Sequence, residues 1–398
     1  MNDNLVIIDY KDLKHDSEKN NGAPSYNPKL YLLLHKAFGN DTRSSSSYSN
    51  DTSQSSIASA PLGLIVIRNI PDFVQTKESF LPLAHQLINL PQSYLNTKLT
   101  DESSMYNAGW SHGKEKLKND APDLSKGSFY FNPVTDTPGT EQDRKDYPAS
   151  YPVNKWPSKS AGDDGNDDGC EIPQFEFLAK KLGMMMKDVV TLLAYQIDEY
   201  VKCQCEAYEG CMGKEVKETE KVKGRLLYYF PKDNNDNGEE RQEEKEHDSW
   251  IGWHCDSGFL TALAGDVYID HDTGEIIPKE EIDPDAGLYI QDRNGTVTQI
   301  RIPDDCMAIQ IGECLQIVTG GMVVATPHCV KGADPNWTST HSKDCGASKK
   351  RRVARISFPC FVDTIPTFPL KVPPTKCVDD VLNSSVTGCA KVPPLENR

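Results

Sequence analysis

The chain has 398 residues, 37% of them hydrophobic, with five Trp and sixteen Tyr and a formal net charge of -16 at pH 7. It is long enough to bury a substantial core, which excludes a small scaffold dependent on disulfide or metal staples. The acidic balance argues against nucleic acid as a partner, because phosphate binding needs an excess of basic charge, and no apolar window approaches a membrane span.

The N-terminus has an apolar run at residues 5–8 that turns acidic at Asp9, too short for a signal-peptide core, so a cytoplasmic protein is expected. The twelve Cys show no repeated pair spacing and are expected to be mostly reduced thiols. The Asn40 and Asn336 sequons are then chance matches.

In chain order, residues 5–9 read as a first strand and 30–38 as a helix. Residues 39–56, rich in Ser, Asn and Asp, read as a flexible insertion, and 62–67 as a buried strand. Residues 78–90 carry helical apolar spacing, with Pro82 near the first turn and Pro91 closing it. The stretches 109–115 and 126–131 read as glycine-punctuated loops, and 160–169 as a breaker of Gly and Asp. Residues 173–205 are the longest helical stretch, with Met185 and Met186 read as ordinary core.

From Gly224 the period becomes strand-like. Strands are predicted at 225–230, 250–254, 260–264, 287–291, 297–302, 307–311, 323–330 and 353–362, with Asn294-Gly295 supplying a hairpin turn. The charged runs 232–248 and 271–285 read as solvated loops, as does Lys349 to Arg352. The expected fold class is α+β, a double-sheet barrel with all helices preceding it. The expected division is an N-terminal region at 1–155, a long supporting helix at 173–207, a barrel domain at 220–370 and a C-terminal tail at 371–398.

The chemistry concentrates at Trp253-His254-Cys255-Asp256 and Pro327-His328-Cys329. Residues i and i+2 of a strand point to one face, so the imidazole of His254 and the carboxylate of Asp256 can converge, and His328 on a neighbouring strand can complete a face. Two imidazoles and one carboxylate leave three octahedral positions open, as ferrous iron requires; the competing reading is a set of satisfied core or surface residues. Arg355-Ile356-Ser357 again places two polar groups i and i+2 on a strand, suited to a bidentate grip on a carboxylate, with a structural ion pair at Arg355 as the alternative.

These residues, with Leu227-Tyr228-Tyr229-Phe230-Pro231, Gly287-Leu288-Tyr289-Ile290-Gln291 and the run from Ile311 to Gly321, resemble the iron(II) and 2-oxoglutarate-dependent oxygenases of the isopenicillin N synthase-like group. The resemblance covers nearly the whole chain and implies a double-stranded β-helix, or jelly roll, with a preceding helical region packed on it. It further implies that His254, Asp256 and His328 ligate Fe(2+), that Arg355 and Ser357 bind the distal carboxylate of 2-oxoglutarate, and that Tyr229 contacts the same co-substrate, the adjacent Tyr228 leaving the register open. The implied activity is a dioxygenase that consumes 2-oxoglutarate and O2 to hydroxylate, desaturate or cyclise a small organic molecule, with succinate and CO2 as co-products, acting as a monomer.

The sequence departs from the group in its acidic insertion between Asp256 and His328, in the length of 333–350, and in lacking the group's usual Asn before the tyrosine. Phe259, Trp110, His112 and Phe129 are candidate substrate-pocket residues, with core packing as the alternative. The competing functions are an iron-dependent oxidase of the same fold that does not use 2-oxoglutarate, and a non-catalytic jelly-roll binding protein.

Overall fold

Period-two patterning in the second half of the chain folds into two stacked antiparallel layers. The computed structural model describes residues 5–19, 27–39, 61–115, 120–158, 170–231, 249–334, 337, 351–373 and 381. Its strands are β1 (Val6–Asp9), β2 (Leu64–Arg68), β3 (Gly109–His112), β4 (Lys126–Phe131), β5 (Val222–Tyr229), β6 (Ser249–His254), β7 (Leu260–Asp270), β8 (Ile276–Ile277), β9 (Gly287–Gln291), β10 (Val297–Ile300), β11 (Cys306–Ile311), β12 (His328–Lys331) and β13 (Val353–Val362). The helices are α1 (Tyr10–Lys19), α2 (Pro28–Phe38), α3 (Phe73–Phe80), α4 (Leu83–Ile88), α5 (Gln92–Tyr94), α6 (Glu141–Asp146), α7 (Phe175–Lys202), α8 (Met212–Glu218) and α9 (Glu313–Val318).

The larger sheet has the order β1-β2-β11-β7-β13-β5-β4-β3, with β8 paired to β7; the smaller has the order β10-β9-β12-β6. Among the described residues only β1 and β2 pair in parallel. The two sheets stay separate in the hydrogen bonding of those residues, so the architecture is a mixed α+β one with a large open sheet.

Alternation along β5 shows how the layers are built. Leu227 and Tyr229 point toward the smaller sheet and share a core with Leu288, Ile290 and Val330, whereas Leu226 and Tyr228 point to the opposite face, where the helices pack. That second face is covered chiefly by α7, whose Leu182, Met186, Val189 and Leu193 recur at helical spacing and are all buried. No helix among the described residues is long and apolar enough to cross a membrane.

Five expectations need correction. The strand expected at 323–330 is shorter and later, β12 running only from His328 to Lys331. Residues 109–112 and 126–131 are strands, not loops: β4 is buried along its whole length, so both its faces are covered and the polar alternation that marks a strand is missing. The single helix expected at 78–90 is two, α3 beginning earlier at Phe73 and α4 starting after Pro82, which lacks the N–H to continue the ladder. Helices do not all precede the strands, since α9 lies between β11 and β12. Residues 271–285, expected to be solvated loop throughout, hold the short strand β8 and a 3-10 turn at Lys279–Glu281. The charged run 232–248, the breaker at 160–169, all but Gly39 of the insertion at 39–56, and most of 333–350 and 371–398 lie outside the described residues.

One glycine is required by close approach. A Cβ on Gly127 of β4 would sit 2.2 Å from the indole Cη2 of Trp110. Gly127→Ala is expected to lower stability by about 1–3 kcal/mol through overpacking, read as a drop in the thermal midpoint. An unchanged midpoint would show that Trp110 has room to move.

Candidate metal centre and cavity

His254 ends β6 and His328 begins β12, and the two are direct partners across the antiparallel pair. Their rings lie 4.2 Å apart between centroids. Asp256 Oδ1 is 3.8 Å from His254 Nε2 and 3.9 Å from His328 Nε2. The three ligand atoms all lie within 4.8 Å of one another, and this is a grouping that could hold a metal ion.

Each imidazole is oriented by a main-chain carbonyl two residues before it. His254 Nδ1 lies 2.9 Å from the carbonyl of Gly252, and His328 Nδ1 lies 3.0 Å from the carbonyl of Thr326. A carbonyl only accepts, so each Nδ1 carries a proton and donates, which turns each Nε2 toward Asp256. Burial, and then the neighbouring His328, push the pKa of His254 well below the usual imidazole range, although Asp256 opposes the shift; His254 is therefore neutral near pH 7. Asp256 Oδ2 is buried with no hydrogen-bond partner, an unmet demand for positive charge.

The loop carrying Asp256 is fixed by the start of α9. Glu313 N–H donates to the Asp256 carbonyl at 2.8 Å and Cys314 N–H to the Gly258 carbonyl at 3.1 Å. Cys255, between the candidate ligands, is disulfide-bonded, whereas Cys170, Cys203, Cys205, Cys211, Cys306, Cys314, Cys329 and Cys360 are free. Among the described cysteines the expectation of mostly reduced thiols therefore holds, with Cys255 the exception.

The three residues open on a cavity of about 370 Å³ between the sheets, also lined by Tyr229, Arg355 and Ser357. The β5–β13 register pairs Arg355 with Tyr229, and the guanidinium lies 5.0 Å from the Tyr229 ring centroid. Tyr228 faces the other way, its hydroxyl 2.8 Å from His271 Nδ1, which resolves the choice of tyrosine facing the cavity. Arg355 Nε donates to Asp266 Oδ2 at 3.0 Å, while its Nη1 is buried and unpartnered. Burial disfavours the charge on Asp266, but Arg355 and Lys279 more than offset it and hold this carboxyl below its ordinary range.

The four candidate pocket residues are not among those lining the cavity. Trp110, Phe129 and Phe259 belong to the core on the helix side of the large sheet. His112 instead packs against the ring of Phe230, tilted at 32° with centroids 4.9 Å apart. Strand parity explains the first two, because Trp110 pairs with Phe129 and Phe129 with the helix-facing Leu226. The residues one step along, Ser128 and Tyr130, share the other parity with Leu227 and Arg225. The cavity residues missed from the sequence include Arg225, Thr261, Asp266 and Gln310; the signal that could have found them is the same alternation, counted from Tyr229 and Ser357.

No protein-family model matches the sequence, and no curated protein matches it either. Solved structures do. A full-length protein of Neurospora crassa, in complex with α-ketoglutarate and 5-formyluracil, matches with a TM-score of 0.54 at 16% identity, over 96% of this chain and 92% of that one. JOX2, in complex with 2-oxoglutarate, iron and JA, matches with a TM-score of 0.52 at 13% identity, over 93% of this chain and 78% of that one. AtDAO1, the dioxygenase for auxin oxidation 1 of Arabidopsis thaliana, in its 2-oxoglutarate complex, matches with a TM-score of 0.51 at 14% identity, over 94% of this chain and 97% of that one.

The chain shares their fold. At these identities the likeness concerns the fold, and the geometry of this chain's own cavity carries the chemical argument.

Proposed function

We propose that this protein is an iron(II) and 2-oxoglutarate-dependent dioxygenase built on a double-stranded β-helix, with His254, Asp256 and His328 as the metal ligands. The observation that carries the proposal is the convergence of two imidazole Nε2 atoms and one carboxylate, each imidazole oriented by a backbone carbonyl. A structural zinc site would close its shell with a fourth protein ligand; among the described residues the group has three members. The 2-oxoglutarate and iron in the solved structures of similar fold add support.

Arg355 is the residue assigned to the distal carboxylate. Its unpartnered Nη1 supplies a donor that burial makes costly to leave unused, and Ser357 and Tyr229 line the same wall. When bound, ferrous iron and 2-oxoglutarate would supply the activation of dioxygen, with succinate and CO2 as co-products of substrate oxidation. The protein's part is to keep the His254 imidazole neutral, to hold Asp256 through the amides of α9, and to exclude water with the apolar walls formed by Leu263, Leu288 and Val330.

A second reading, an iron-dependent oxidase that does not take 2-oxoglutarate, draws on Asp266, which already occupies Arg355 Nε. Anaerobic titration with ferrous iron and then 2-oxoglutarate separates the two. The dioxygenase reading expects a metal-to-ligand charge-transfer band at a stoichiometry of one co-substrate per iron; bound iron without the band would leave the oxidase.

A further inference from the structure

Arg225 lines the same cavity as His254, Asp256 and His328 and has no part in holding the proposed metal or 2-oxoglutarate. It stands two residues before Leu227 and four before Tyr229, so strand alternation turns all three toward the cavity. The guanidinium is braced from behind. Its Nε donates to Ser128 Oγ at 3.0 Å, its Nη2 donates to Glu115 Oε1 at 2.5 Å, and its plane lies 5.0 Å from the ring centroid of Tyr130. Glu115 is not dedicated to it, since Lys126 Nζ is also 3.2 Å from that carboxylate.

Arginine has five N–H donors in a rigid fork, and these two bonds use only part of them. None of the Arg225 nitrogens is buried without a partner, and the side chain remains 15% exposed. Part of the fork is therefore presented at the cavity wall, its direction fixed before any ligand arrives. The other cations of the wall have other work: Arg355 pairs with Asp266 and offers its free Nη1 to the proposed 2-oxoglutarate, Lys279 pairs with Asp304, and Arg301 donates to the Pro284 carbonyl.

We propose that the substrate carries a carboxylate and that Arg225 receives it, orienting an apolar body across Ile251, Leu263 and Phe361 toward the metal ligands. A single guanidinium whose charge is shared with Glu115 matches a planar monoanion; a dianionic phosphate would call for further uncommitted cations, which this wall does not offer. The apolar lining matches the rest of such a molecule. This proposal rests on the iron and 2-oxoglutarate reading and deepens it by naming the substrate class.

The test uses the full chain loaded anaerobically with ferrous iron and 2-oxoglutarate, and calorimetric titration with octanoate, benzoate and phenylacetate, each beside its primary amide. At least one acid is expected to bind about tenfold more tightly than its amide, and Arg225→Gln is expected to erase that preference while leaving the charge-transfer band unchanged. Should Arg225→Gln fail to form the band, Arg225→Lys keeps the charge and is expected to retain the band with a reduced preference for the acid. An intact band in the wild type with no acid preferred over its amide, or a full preference surviving in both variants, overturns the proposal alone. A wild-type protein that binds iron and forms no band overturns the reading beneath it and the proposal together.

Discussion

Asp256→Ala should abolish iron-dependent turnover and weaken ferrous iron binding by more than about 100-fold, beyond the tenfold to 100-fold typical of losing a residue that merely supports a ligand. The physical reason is charge. On the proposed assignment His254 and His328 would each offer an imidazole nitrogen, their Nδ1 atoms being turned to the carbonyls of Gly252 and Thr326, and Asp256 would be the one carboxylate among the three. Its side chain is also largely shielded, with Oδ2 buried and unpaired, which makes it a stronger partner for a cation than a surface carboxylate would be. Iron content after dialysis, measured beside the thermal midpoint of the apo protein, separates loss of the metal from loss of the fold. Asp256→Asn, nearly isosteric, should behave like the alanine variant. Full iron occupancy in either variant would show that the ligands have been misassigned.

Arg355→Ala should raise the 2-oxoglutarate requirement by about 10- to 100-fold, the loss of one or two hydrogen bonds to a charged group at roughly 1.5–3 kcal/mol in total, with iron binding unchanged. The single variant carries a complication that the structure makes plain. Removing the guanidinium takes away the principal partner of the partly buried Asp266, leaving it Lys279 at 3.8 Å and the Tyr268 hydroxyl, and breaking a buried pair costs up to about 3–5 kcal/mol. The informative protein is therefore the double variant Arg355→Ala with Asp266→Asn, which removes both charges at once. It should fold with a midpoint close to the wild type's and still show the raised requirement. If its 2-oxoglutarate requirement matches the wild type's, Arg355 has no co-substrate role and its pairing with Asp266 is structural.

What can be read from the sequence follows from how far each signal travels along the chain. The β13 strand is legible to its ends, because apolar residues and a Pro-free interior up to Phe358 mark a strand locally. The grouping of His254, Asp256 and His328 is legible since two of the three lie i and i+2 on the chain, although Asp256 falls just past the end of β6 and His328 opens β12 instead of lying near the end of the strand expected at 323–330. β4 is not, because Lys126-Gly127-Ser128-Phe129-Tyr130-Phe131 is buried on both faces and its glycine serves Trp110 of the neighbouring strand. The bracing of Arg225 is equally hidden: its partner Glu115 is 110 positions away and meets it only once β3 and β4 have joined the sheet. Asp266 lies beyond the strand end expected at Ala264, whereas β7 continues to Asp270 and brings the carboxylate opposite Ser357.

The two imidazoles lean on main-chain carbonyls two residues back in the chain, at Gly252 and Thr326, not on the side chain of another residue. A carbonyl cannot be substituted. The aim of each ring is thus inherited from the local main chain, and the cavity wall can be rewritten one side chain at a time without turning either of them. A scaffold of this kind can diverge widely in what it admits while the ligand geometry stays put, and redesign of the wall around Arg225 should leave metal affinity where it began.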